Sequence, residues 1–136
     1  MRAICARSAG LVTLSILALT RIGSSVAAET TGLEGSWSGG GTVRYPSGDT
    51  ERARCHATFK QRSSSSFGMV ARCATASGRV DQTAALRQVG SNRFAGSFKN
   101  AEYGIAGSIT VILNGSSLHA SLSGDNGAGG EFRLSR

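Results

Sequence analysis

A chain of 136 residues with a formal net charge of +7 has room for one folded domain, and its length excludes a second. Its first 28 residues have the layout of an export signal; cutting there leaves 108 residues with twelve Lys or Arg and all eight Asp or Glu, a net of +4. The charge of the precursor therefore overstates how basic the working protein is.

Arg2 and Arg7 precede the apolar run Ser8 to Thr20, and small residues follow down to Val26-Ala27-Ala28, the three parts of a cleavable signal peptide. The run is shorter than the about 20 residues a membrane-spanning helix needs. Residues 1–28 are thus expected to leave, Cys5 among them. The mature protein is then periplasmic or secreted and does not span a membrane. A polar lead at 29–35 comes next, and a single domain at 36–136 follows it.

In that domain no useful stretch has helical apolar spacing, while period-two alternation recurs in short runs broken by turn residues. The predicted strands are Trp37 to Tyr45, Thr50 to Gln61, Phe67 to Ala76, Arg79 to Gln88, Arg93 to Lys99, Ile105 to Leu113, Ser116 to Ser123 and Glu131 to Arg136. Sequential antiparallel strands with short turns can bury one face by curling into a closed up-and-down barrel, which also removes free edges. An eight-stranded barrel is therefore the expected fold, with a β-sandwich as the alternative. Gly39, Gly41, Gly96 and Gly107 fall at inward parity, where barrel strands coil or approach closely. The glycine-rich stretch Ser123 to Gly130 lacks the acidic spacing of a calcium loop and reads as a flexible connection.

Opposed residues of a hairpin share a face, so turn length and apolar parity must agree. A Ser77-Gly78 turn would pair Thr75 with Val80 and Met69 with Leu86, and an Asn114-Gly115 turn would pair Val111 with Leu118 and Ile109 with Ala120. Across Ser63 to Ser66, pairing Phe59 with Met69 brings Cys55 opposite Cys73. In an exported chain that pair is expected to be a disulfide, contributing about 3 kcal/mol by loop-closure entropy. The inward positions are almost all apolar, from Trp37 through Phe59, Phe94 and Phe98 to Leu134, with Thr75 and Gln82 as polar insertions. Any cavity would suit a small apolar ligand, and a filled interior is equally compatible with eight strands.

Gly35-Ser36-Trp37 at the first strand resembles the Gly-x-Trp opening of the calycin barrels, the group that includes lipocalins and avidins. The resemblance implies a closing arginine over the tryptophan from the last strand. Arg136 has the parity for that cation–π cover, whereas Arg133 points outward. In its signal peptide, size, disulfide and early tryptophan the chain is also similar to bacterial inhibitors of secreted metalloproteases, from which the run Gly39-Gly40-Gly41 departs.

No nucleophile elbow, phosphate loop or zinc-protease motif occurs, and His56 and His119 lie on distant strands with outward parity. Neither a catalytic site, nor a metal, nor a cofactor is expected, and the reading is not an enzyme. Outward parity on the first three strands gathers Arg44, Arg52, Arg54, His56, Lys60 and Arg72 into a candidate anion-binding face. There Arg44 is expected to stand opposite Arg52, a like-charge pair that an anion would relieve. Aromatics are not interleaved with these charges, so nucleic acid is not an expected partner. The expectation is a binding module for a small apolar ligand or an anionic partner, with a periplasmic protease inhibitor or a structural cell-envelope protein as alternatives.

Overall fold

Alternating burial along the chain is what closes this domain on itself. The computed structural model describes Gly23 and residues 32–136, so the signal peptide at 1–28 lies outside the described residues. Eight strands follow in order: β1 (Gly35–Arg44), β2 (Thr50–Gln61), β3 (Ser66–Thr75), β4 (Gly78–Gln88), β5 (Arg93–Asn100), β6 (Ile105–Asn114), β7 (Ser117–Gly124) and β8 (Gly129–Ser135). Each pairs antiparallel with its neighbour, and β8 returns to β1, so the sheet is a closed up-and-down barrel and not a sandwich.

The β2–β3 hairpin has the expected register, with Phe59 opposite Met69 and Cys55 opposite Cys73. A disulfide joins the two cysteines. Three other hairpins differ from expectation by two residues. Thr75 faces Gly78, so the β3–β4 turn is Ala76-Ser77 and Met69 faces Ala84. Asn114 faces Ser117, so the β6–β7 turn is Gly115-Ser116 and Val111 faces Ala120. A type I′ turn at Asn114-Gly115 would need positive φ at both residues, but only Gly115 has it, at 62°. Moving a turn by one residue moves the register by two, so every side chain keeps its face. The third case is β1–β2. Its connection is tied by Tyr45 N donating to Asp49 O at 2.9 Å, and Arg44 therefore faces Thr50 while Arg52 faces Thr42. The expected Arg44–Arg52 pair does not form.

Inward glycines let the strands coil tightly. A Cβ placed on Gly41 or Gly96 would collide with the carbonyl oxygen of Glu131 or of Ala85 on the adjacent strand. Gly129 and Gly130, expected to be loop, open β8 by pairing with β7 and β1. Asp125–Gly127 makes a short 3-10 turn before them.

The core is densest at one end. Trp37, Phe59, Phe67 and Phe94 are fully buried there, and the Phe67 and Phe94 rings meet edge to face at 5.2 Å. The lead at 29–35 is not simply polar: Leu33 is fully buried, its carbonyl accepts the Trp37 indole N–H at 2.9 Å, and Gly35 already belongs to β1. Arg136 lies 4.5 Å from the Trp37 ring and donates to the Glu34 carbonyl at 2.9 Å, completing the expected cation–π cover. At the rims, Tyr45, Ile105 and Leu113 are only partly buried.

Candidate functional site

The barrel interior offers little room. Among the described residues, internal spaces of about 20 Å³ each lie against Met69, Ile109 and Phe132 and beneath the rim residues Tyr45, Phe98, Asn100 and Tyr103. Each could hold about one water, whereas ligand pockets run from about 300 Å³ upward.

The outer surface differs. A concavity of about 1210 Å³ opens over β1, β2 and β3. Its form follows from which residues point outward there. On β1 these are Ser38, Gly40 and Thr42, none of which reaches far; on β3, Ala74 is as short. Longer side chains stand around them: Arg52, Arg54 and His56 from β2, Arg72 from β3 and Arg79 from β4, all exposed. Small residues make the floor and cations make the walls.

Strand register turns this into an ordered array. Arg79 faces Ala74, Ala74 faces Arg54, Arg54 faces Gly40, and Gly40 faces Arg133 on β8. Guanidinium groups thus alternate with residues that cannot shield them, on every second strand. Among the described residues Arg79 pairs with Asp81 at 3.4 Å and His119 Nε2 lies 2.7 Å from a Glu131 oxygen; Arg52, Arg54, Arg72 and Arg133 have no carboxylate within 4.0 Å, although Asp81 stands opposite Arg72 across the strands. His56 Nδ1 shares a hydrogen bond with Ser38 Oγ at 2.9 Å.

Four of the six residues expected on the basic face therefore line the concavity: Arg52, Arg54, His56 and Arg72. Arg44 sits at the rim, beside the small space under Tyr45, and Lys60 lies toward the tryptophan end, opposite Gly68. Two further residues were not foreseen: Arg79, which lines the concavity, and Arg133, which stands beside Gly40 on β8 without lining it. Closure of the sheet was the signal for Arg133, because in a closed meander β8 must lie beside β1.

The rim opposite Trp37 has its own chemistry. Tyr45 Oη donates to Glu51 Oε2 at 3.0 Å, and the Ser77 hydroxyl donates to the other Glu51 oxygen. The Ser77 hydroxyl, then those of Thr75 and Tyr45, hold the Glu51 carboxyl below its ordinary value. The Thr75 hydroxyl pulls the Tyr45 phenol down, but burial and the Glu51 carboxylate outweigh it and the phenol lies above its ordinary value. Among the described residues no three His, Cys, Asp or Glu side chains converge as a metal site, and no helix is long and apolar enough to cross a membrane.

No family model matches the chain, and no curated protein matches it. Solved structures do. The redesigned β-barrel mFAP1 bound to DFHBI superposes with a TM-score of 0.66 at 14% identity, covering 76% of this chain and 94% of that one. EF1p2_mFAP2b bound to DFHBI gives 0.63 at 16% identity over 76% and 93%, and a fluorescence-activating β-barrel of de novo design gives 0.57 at 12% over 76% and 92%. At these identities the likeness establishes the small eight-stranded barrel fold.

Proposed function

We propose that this protein is an exported, non-catalytic binding module whose working surface is the arginine-walled outer concavity, and whose ligand is anionic. The observation that carries the reading is the alternation of Arg79, Arg54 and Arg133 with Ala74 and Gly40. A surface tuned only for solubility intersperses opposite charges; here Asp81 stands opposite Arg72 and pairs with Arg79, while Arg52 and Arg54 have no carboxylate within 4.0 Å among the described residues. Guanidinium groups grip carboxylate, sulfate or phosphate with paired hydrogen bonds. A disulfide between Cys55 and Cys73 suits an oxidising compartment, in keeping with the signal peptide read at 1–28. The cation–π cover of Trp37 by Arg136 likewise suits a calycin-like barrel.

The test is a titration with tripolyphosphate followed by amide chemical shifts. Shifts are expected on the outward residues of β1 to β3 and to vanish in the triple variant Arg52→Ser, Arg54→Ser, Arg72→Ser. Shifts confined to interior residues such as Val80 and Phe98, or none at all, would overturn the proposal.

A second reading has one observation in its favour: the designed barrels of the same fold were solved bound to DFHBI. A small apolar ligand here would enter at the Tyr45–Tyr103 rim and displace Phe98 to make room. A native mass spectrum of the mature protein that carries a releasable small molecule supports it; bare polypeptide removes it. A protease inhibitor that used the lead as its plug would have to release Leu33 and Glu34, which close the barrel end, so an inhibitor would act through a loop instead.

A further inference from the structure

We infer that the occupant of the outer concavity is an acidic polysaccharide, laid across β4, β3, β2 and β1 toward Arg133 on the adjoining β8. This rests on the anion-binding reading and narrows it.

The first argument is the spread of charge. Neighbouring strands lie about 4.8 Å apart, so arginines on every second strand stand about 10 Å from one another at their backbones. Arg52 lies one dyad along β2 from Arg54, and Arg72 one dyad along β3 from Ala74 in the opposite direction, which widens the array by about 7 Å to either side of the row. A compact anion can satisfy one or two of these groups. A chain with anionic groups along its length satisfies them together, and Gly40 and Ala74 leave the path between them open.

The second argument is the chemistry between the charges. The hydroxyls of Ser38 and Thr42 and the imidazole of His56 belong to residues that line the same concavity. They offer donors and acceptors to a hydroxyl-rich chain. The large hydrophobic side chains exposed among the described residues are Val70, Val89 and Tyr103, and none lines it. Bases of single-stranded nucleic acid would find no aromatic platform. A flat bilayer would meet the arginine rim without reaching the floor, and there is no apolar wedge to insert. The polymer that matches is anionic, hydroxylated and slender.

The experiment is calorimetric titration of the mature protein with oligogalacturonates from the monomer to the octamer, with poly(dT) and phosphatidylglycerol vesicles as rivals. Affinity is expected to climb with length and then level off once the row is spanned, and to fall about tenfold or more between low and physiological salt. Ala74→Glu sets a carboxylate between Arg54 and Arg79 on an exposed position and is expected to weaken binding by about tenfold or more. Arg54→Ser should act in the same direction if Ala74→Glu proves poorly folded, and Arg87→Ser, outside the concavity, should leave binding unchanged. A monomer that binds as tightly per charge as the octamer overturns the polysaccharide while leaving the anion site standing. Tighter binding of poly(dT) or of the vesicles reassigns the face to that partner. If neither oligogalacturonate nor tripolyphosphate binds, both readings fall.

Discussion

The two ends of the barrel are closed by opposite chemistries. At one, Leu33, Trp37, Phe59, Phe67 and Phe94 are buried to 1% exposure or less and Arg136 lies over the indole as a lid. At the other, Tyr45, Thr75, Ser77 and Glu51 form a hydrogen-bonded rim beside Tyr103, whose ring centroid lies 5.8 Å from that of Tyr45. The first end is held by area removed from water, which weakens little with pH or salt. The second is held by polar bonds in contact with solvent, each worth far less. The aromatic end is the anchor of the fold, and the rim is its more weakly held end.

Four measurements would break or sharpen that contrast. The largest effect is expected from Trp37→Ala, which removes a fully buried indole and should destabilise by about 3–5 kcal/mol in denaturant unfolding; a loss below about 1 kcal/mol would mean the anchor lies elsewhere. Next comes the disulfide between the ends: Cys55→Ala with Cys73→Ala should lower stability by about 2–4 kcal/mol with the barrel's circular dichroism retained. Arg136→Leu removes the lid without emptying the core and should lower stability by about 0.5–2 kcal/mol; an unchanged melting temperature would show the cover to be ornamental. The smallest effect belongs to Glu51. Its folded-state carboxyl is held below the unfolded value, so the stability it supplies is present above the ordinary carboxylate range and lost as pH falls through the folded value. The melting temperatures of wild type and Glu51→Gln should therefore differ near neutral pH and converge in acid. A gap that widens in acid would refute the rim assignment.

The inner face was legible in the sequence because a one-residue slip would turn every apolar side chain outward. Cys55 opposite Cys73 follows from parity, and parity picks out Arg136 for the cover over Trp37 that the calycin resemblance implies. A slip of two residues carries no such penalty. For that reason the β1–β2, β3–β4 and β6–β7 hairpins were misregistered without any face being misjudged. Leu33 was missed because a lone apolar residue in a polar lead has no period to reveal it. The outer face was only half legible. Arg52, Arg54, His56 and Arg72 could be gathered from parity on consecutive strands, but the row through Ala74 and Gly40 to Arg79 and Arg133 needs exact register and the β8–β1 contact, which parity alone does not supply.

That contact also sets an order of assembly. Seven of the eight strand pairings join neighbours in sequence, and hairpins of this kind form locally; the eighth, β1 with β8, joins residues almost the whole domain apart. No amino-terminal fragment can satisfy β1, whose outer edge stays unpaired until Gly129–Ser135 has arrived. A chain shortened by its last strand would carry two open edges, β1 and β7, available to other copies of itself. The carboxyl-terminal residues of β8 are thus what commit the chain to a closed ring of strands.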